Sequence, residues 1–209
     1  MSTALKDLLA KALRENGHDF PDATQAQFIL FLELLQKWNR VFNLTSLDST
    51  EDLVYLHILD SLAIYPLLEG KRMLDVGSGG GLPGIPLAIA DPGKTWVLLD
   101  KSQKKTRFLL QVSAELGLKN VTVACSRCED FQTEAGFDSI ISRAFGTIKL
   151  FLDTTKHLIS PKGYFLAMKG TYPEKELAEI PATFNLLDVQ KLTIRGLQAE
   201  RHLVRLQQK

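Results

Sequence analysis

The stretch MLDVGSGGGLPGIPLAIADP, residues 73–92, constrains the fold more than any other part of this chain. A short apolar run ends at Val76, then come four glycines, Gly77, Gly79, Gly80 and Gly81, and then an apolar helical pattern. A strand, a glycine turn and a helix in that order place a ligand beyond the carboxyl end of the strand, where the sheet order reverses. Glycine allows both the tight turn and a close approach of backbone to ligand. Pro83 and Pro86 fit only in the first turn of the following helix.

The rest of the chain extends this unit. TWVLLD reads as a second strand, SQKKTRFLLQVSAELG as a helix ending at Gly117, VTVACS as a third strand and FDSIISRAF as a fourth. TIKLFLDTTKHLI is a helix, GYFLAMKG a fifth strand and PEKELAEI a short helix. LLDVQKLTI and RHLVRLQ close the chain with no helix between them, which predicts an antiparallel pair. Alternating strands and helices predict an α/β fold: a Rossmann-like, mostly parallel seven-stranded sheet with helices on both faces. The first 68 residues differ in texture. ALKDLLAKALRE has leucines near a helical period, with a stop at Asn16-Gly17. A second helix runs from about 23 to 40. A third starts at STEDLVYLHILDSL, capped by Ser49 or Thr50 and limited by Pro66. The expected organisation is a helical extension over 1–68 packed on an α/β domain over 69–209.

Composition excludes several classes. The 209 residues are 45% hydrophobic and 23% charged, the profile of a soluble globular protein. No apolar run reaches the ~18–20 residues that span a bilayer, and the N-terminus lacks the apolar core of a signal peptide, so a cytoplasmic monomer with no membrane partner is expected. Cys125 and Cys128 form a C-x-x-C with no second ligand pair after it, so two reduced thiols are expected and no metal. The net charge of +1 does not announce a nucleic-acid binder; RNA recognition would need a local basic surface.

The glycine turn departs from the dinucleotide fingerprint G-x-G-x-x-G, because Leu82 stands where the third glycine belongs. Pyrophosphate prefers bare backbone donors at a helix N-terminus. Asp75, two residues before Gly77, suits a cationic, hydroxyl-rich ligand better, and S-adenosylmethionine is one. Asp100 ends the second strand, where a carboxylate can take ribose hydroxyls; that feature is common to both ligand classes.

DVGSGGGLPGIPLAI, followed in order by LLDK, SRCEDF, FDSIISRAF, MKG and ERHLV, resembles the RsmG (GidB) family of bacterial 16S rRNA guanine-N7 methyltransferases. WNRVFNLTS and HILDSLAI upstream match the same family, so the resemblance covers nearly the whole chain. It implies a class I S-adenosylmethionine-dependent methyltransferase domain with a helical N-terminal extension. Its implied substrate is the guanosine at position 527, in the 530 loop of 16S rRNA, within the small ribosomal subunit. It also implies donor contacts from Gly77, Leu82, Cys128, Glu129 and Arg143, beside the loop residues Asp75, Gly79 and Asp100 singled out above. Gly80 and Cys128 depart from residues common in the family at those places.

The residues agree with this chemistry. Guanine N7 carries a free lone pair and no proton, so in-line methyl transfer needs placement about 3 Å from the methyl carbon and no general base. Pyrimidine C5 methylation needs a cysteine nucleophile, and neither cysteine is near the fourth strand in sequence. Amine methylation is associated with N/D-P-P-Y after that strand, where this chain reads SRAF. No residue is assigned as a certain catalyst. The positioning candidates are Arg143, His57, Asn43, Lys169 and Arg201.

Phe145 either stacks on a base or packs in the core. His57, Asp60 and Ser61 share one helical face, as a cleft lining or as a solvated face. Asn43 and Thr45 order a loop or join that cleft. Lys101, Lys104, Lys105 and Arg107 form a basic helical face, and Lys169, Arg195, Arg201 and Arg205 could extend it as a rim towards RNA phosphates. Three other functions stay open at this level: a nicotinamide oxidoreductase, for which no Tyr-x-x-x-Lys is present; a non-enzymatic ribosome-binding module; and a small-molecule methyltransferase.

Overall fold

A computed structural model describes residues 3–47 and 49–209. Two amphipathic helices come first. α1 (Thr3–Glu15) buries Leu5, Leu9, Ala12 and Leu13, and α2 (Asp22–Phe42) buries Phe28, Ile29, Phe31, Leu32, Leu34 and Leu35. A third helical run has three parts. α3 (Thr50–Asp52) is capped by Ser49, whose Oγ accepts from the Asp52 amide at 3.0 Å. A π-helical stretch (Leu53–Leu59) follows, and α4 (Asp60–Leu62) completes the run. Pro66 then sits in a 3-10 turn, Tyr65–Leu67.

The α/β part alternates as its hydrophobic runs predict. β1 (Arg72–Val76), α5 (Gly84–Ala90), β2 (Thr95–Asp100), α6 (Gln103–Glu115), β3 (Val121–Cys125), β4 (Phe137–Arg143), α7 (Ile148–Thr155), β5 (Ile159–Lys169), α8 (Glu174–Leu177), β6 (Phe184–Lys191) and β7 (His202–Gln208) follow in order. The strand order is β3-β2-β1-β4-β5-β7-β6. β1 to β5 pair in parallel, and β7 lies antiparallel between β5 and β6. The order reverses between β2-β1 and β4, so the turn after β1 opens at the switch point of the sheet.

Alternate residues of each strand feed two cores. Met73, Leu98, Ile141, Leu166 and Leu203 join one apolar cluster with α1, α2, α5 and α6. Leu74, Leu99, Ile140, Phe165 and Val204 join another with Ile148, Phe151 and Leu152 of α7. Residues of the first 68 and of the sheet therefore share one continuous core.

Three elements differ from the sequence expectation. β5 starts four residues early, where Ile159 pairs with Phe137 across an irregularity in the ladder. β6 lies over 184–191 rather than 186–194, and the pairing towards β7 ends with the Leu192 amide on the Arg201 carbonyl at 2.8 Å. The third helix is π-helical at its centre, which its apolar spacing does not encode. π turns are rare and concentrate at functional sites.

Candidate active site

Two cavities open side by side at the carboxyl ends of β1 and β4, and Ala144 lines both. Ala144 is in the left-handed region, φ 57, an uncommon conformation for a residue with a side chain. It turns the chain so that Arg143 faces one cavity and Phe145 the other.

The smaller cavity, about 430 Å³, is walled by Gly77, Leu99, Asp100, Lys101, Lys105, Arg127, Cys128, Glu129 and Phe145, among others. Gly77, at φ +70, would bring a Cβ within 2.9 Å of the Phe145 ring, so no larger residue fits there without moving the ring. Asp100 is held from both sides. Its Oδ2 accepts from the Gly79 amide at 3.0 Å and its Oδ1 from the Ser102 amide at 2.9 Å. A carboxylate has about four acceptor positions, so lone pairs remain for a diol. Cys128 is buried, and burial, with Glu129 and Asp100 nearby, pushes its thiol up to about 11. It lines the same cavity as Ala144 and Phe145, closer to the fourth strand than its sequence position implies. It stays a protonated thiol at neutral pH, which removes it as a nucleophile. Cys125 is free and exposed.

Asp75, Gly79 and Leu82 do not line this wall. Asp75 is fully buried and turned inward. Its Oδ2 accepts from the Gly84 amide at 3.0 Å, at the start of α5, while Oδ1 has no partner. Burial pushes its carboxyl up to about 7, and the bond from Gly84 opposes that only in part. The structure thus corrects the ligand-facing expectation for Asp75 and makes it a support under the loop. Leu82 is buried in the core beneath the same turn.

The larger cavity, about 600 Å³, is bounded by Thr45, Leu56, His57, Asp60, Arg143, Met168, Lys169, Arg201 and His202, among others. Asp60 is its electrostatic centre. Its Oδ2 accepts from Arg143 Nη1 at 3.0 Å and its Oδ1 from Arg201 Nε at 2.6 Å. The same Arg143 nitrogen donates to the Leu56 carbonyl in the π-helical stretch at 2.9 Å. One carboxylate therefore serves two guanidinium groups, and the cleft keeps a net positive charge. Lys169 is already neutralised: its Nζ donates to Glu176 Oε2 at 2.7 Å and to the Gly146 carbonyl at 2.8 Å. Glu176 Oε2 also accepts from the Ile148 amide at 2.7 Å, which fastens α8 to the start of α7.

His57 is 2% exposed and its Nε2 lies 3.0 Å from Thr45 Oγ1. Burial, together with the Arg143 charge, lowers it to about 4, so the ring is neutral at physiological pH. The face carrying His57, Asp60 and Ser61 is therefore buried rather than solvated. Asn43 is exposed and ends α2 in the left-handed conformation, φ 50; the segment 44–47 beyond it, and not its own side chain, lines the cleft. The expected basic rim separates. Arg195 belongs to a shallow depression beside Asn16, and Arg205 pairs with Glu69 and Asp188. Lys104 lies over the Phe42 ring at 5.7 Å, while Lys101 and Lys105 line the smaller cavity. Phe145 packs edge-on against Phe151 at 6.3 Å and walls the smaller cavity, away from Arg143. His202, Met168 and Glu176 were not singled out by sequence; His202 had a signal in its place within ERHLV, whereas Glu176 had none.

Two buried groups give a paired expectation. Between about pH 4 and 6.5 the unfolded chain binds a proton at His57 that the native chain does not, so His57 makes stability rise with pH there. Between about pH 4 and 7 the native chain holds a proton on Asp75 that the unfolded chain has lost, so Asp75 makes stability fall. Each pKa unit is worth about 1.4 kcal/mol, and the two trends oppose each other. Urea midpoints at pH 4.5 to about 6.5 are expected to climb in Asp75→Asn and to decline in His57→Gln. Parallel profiles would refute the assignment.

Among the described residues no group of His, Cys, Asp and Glu could hold a metal ion, and no helix is long and apolar enough to cross a membrane. Comparison with solved structures gives the fold class. A glycopeptide N-methyltransferase (MtfA) complexed with S-adenosylmethionine superposes with a TM-score of 0.63 at 11% identity, covering 73% of this chain and 87% of that one. The O-methyltransferase TomG from Streptomyces achromogenes superposes with a TM-score of 0.59 at 17% identity, covering 91% of each. The architecture is thus that of the class I methyltransferases. Among proteins of similar sequence, the ribosomal RNA small subunit methyltransferase G of Nitrosococcus oceani is 45% identical, with 99% of this chain and 96% of that protein aligned. Those of Laribacter hongkongensis, at 47% (97% and 98% aligned), and Aromatoleum aromaticum, at 50% (94% and 95% aligned), carry the same name. The family described as GidB, rRNA small subunit methyltransferase G, matches residues 24–204. The order of motifs, the sheet and these matches agree: the chain belongs to the GidB family of rRNA small subunit methyltransferases.

Proposed function

We propose that this chain transfers a methyl group from S-adenosylmethionine to N7 of a guanosine in 16S rRNA, the one at position 527 in the 530 loop. The observation that carries the proposal is the pair of cavities meeting at Ala144. The smaller suits the donor. Gly77 gives bare backbone, and Asp100 keeps acceptor capacity for ribose hydroxyls. Cys128 and Glu129 also line it, and a volume of about 430 Å³ falls in the usual range for small-molecule sites. Bound there, the donor supplies an electrophilic methyl on a sulfonium. The larger, positively charged cavity suits the acceptor nucleotide.

This chain's own residues hold and orient. Asp60 fixes Arg143 and Arg201, Glu176 fixes Lys169 and the start of α7, and Thr45 fixes His57. No group in the acceptor cleft is poised as a general base: His57 is held well below neutral pH, and N7 has no proton to lose. With a net charge of +1, affinity for naked RNA should be modest. We infer that the chain acts in the cytoplasm as a monomer on the small subunit, whose shape supplies part of the selectivity.

The test uses tritiated donor with small subunits and with deproteinised 16S rRNA, both from a strain lacking the gene. Label in the subunit lane that maps to 7-methylguanosine in the 530 loop is the expected result, with weaker label on free RNA. Binding of S-adenosylhomocysteine with no label in either lane would refute the acceptor and leave the donor site standing.

A further inference from the structure

The end of α2 carries the most exposed large apolar side chain among the described residues, Val41 at 71%, next to a half-buried aromatic ring, Phe42. Trp38, one helical turn earlier, stacks against that ring at 5.1 Å between centroids with the planes 30° apart. Trp38 is itself braced by Phe108 of α6 at 5.6 Å, so the Phe42 ring is held from inside. What lies over it is the Lys104 ammonium, 5.7 Å from the centroid, at the tip of an exposed side chain. A cation over an exposed ring is weakly held, and a planar guest can take its place. The ring lies between the mouths of the two cavities. Leu44, two residues after Phe42, lines the acceptor cavity, and its carbonyl rests on the glycine turn, 3.6 Å from where a Cβ on Gly80 would stand. On the other side Lys101 lines the donor cavity, and Lys101, Lys104 and Arg107 follow at intervals of three, all exposed. None of these three forms an ion pair among the described residues. Uncompensated cations running past an aromatic ring suit a single nucleic-acid strand: the cations follow phosphates and the ring takes a base.

Resting on the rRNA reading above, we propose that Phe42 is a stacking platform for the nucleobase next to the target guanosine, with Lys104 moving from the ring to that nucleotide's phosphate. The occupant is RNA because the surface beside the ring is cationic and unpaired, and because a ring already stacked on an indole is extended by one more planar group, which a base supplies. A neighbour held on this ledge, outside the acceptor cavity, is unstacked from the target, so the target base can enter the cleft alone. Val41 adds apolar surface at the edge of the same ledge.

The experiment measures kcat and KM for methyl transfer to small subunits reconstituted with 16S rRNA that is intact or lacks the base of the nucleotide 5′ or 3′ to the target. Wild type is expected to show a KM about 10-fold higher on one of the two abasic substrates. Phe42→Leu is expected to show the same rise on intact RNA, with kcat and S-adenosylhomocysteine binding unchanged, and no further rise on that abasic substrate. Phe42→Trp keeps a ring and should retain most of the affinity. Lys104→Gln is expected to raise KM about 3-fold and to reduce the slope of log KM against log salt by about 1. Lys162→Gln, towards the opposite end of β5 from the cleft residue Lys169, should change neither. If the effects of Phe42→Leu and of base removal multiply on both abasic substrates, the ring meets neither base, and this face contacts a protein of the subunit or serves stability alone; that outcome overturns the proposal. So does a wild-type KM that neither abasic substrate changes, a result that needs no variant to fold. Failure of wild type to label intact subunits would refute the acceptor reading itself, a result distinct from either.

Discussion

Gly84→Ala is expected to lower the stability of the folded protein by about 3 kcal/mol or more, and Gly84→Val to prevent its accumulation. Gly84 opens α5 at the point where that helix crosses β1 and β2. An added Cβ would lie 2.3 Å from Leu98 Cδ2 and 2.6 Å from Asp75 Oδ2. Neither neighbour can yield, since both are fully buried. Overpacking of this kind costs typically 1–3 kcal/mol. The same displacement parts the Gly84 amide from Asp75 Oδ2, and a buried polar group left unpaired adds about 1–3 kcal/mol. Urea unfolding provides the measurement, with Gly170→Ala as the control. A Cβ at Gly170 meets nothing within 4 Å, so that variant should stay within about 0.5 kcal/mol of wild type. If the two alanine variants unfolded at the same urea concentration, the tight contact beneath the loop would be wrong.

This contact also shows where sequence reasoning stopped. The glycine cluster identified the turn, and hydrophobic runs located seven strands, because β1, β2, β4, β5 and β7 are largely buried and the runs are bounded by glycine, proline or charge. The antiparallel β6–β7 pair was legible because no crossover helix separates it. Proximity to the glycines alone points Asp75 at the ligand. Alternation along β1 alone does not show that its carboxyl points beneath the turn to the Gly84 amide, nine residues on. Pairings distant in sequence were not legible either. Arg143 meets Asp60 across 83 residues and Arg201 meets it across 141. His57 and Asp60 share a face in an ordinary helix as well, so their spacing gave no sign of the π-helical turn that presents the Leu56 carbonyl to Arg143. The basic rim failed for a related reason: charge and order place Arg205 near Arg201, but Arg205 lies four residues along β7 and pairs with Glu69 and Asp188, away from the cleft.

The Asp60 carboxylate is the point where one substitution should alter both stability and catalysis. Asp60→Ala leaves Arg143 and Arg201 facing each other with no counter-charge between them. Breaking a fully buried pair costs about 3–5 kcal/mol. Here the guanidinium groups are 23% and 20% exposed, and solvent screening reduces the expected loss to about 2 kcal/mol. The second variant isolates the electrostatic origin. In Asp60→Ala/Arg201→Leu one of the two unpaired cations is gone, so the double variant should unfold at a higher urea concentration than the single one, a coupling that independent sites would not show. Methyl transfer should fall about 100-fold in Asp60→Ala, with binding of S-adenosylhomocysteine changing far less, because the carboxylate lies on the acceptor side of Ala144. Arg201→Leu alone retains the Asp60–Arg143 bond and should be the mildest of the three in stability. Equal stability of the single and double Asp60 variants would mean that the two arginines do not compete for one charge. A loss of donor binding as large as the loss of transfer would mean that the two cavities do not divide the substrates as proposed.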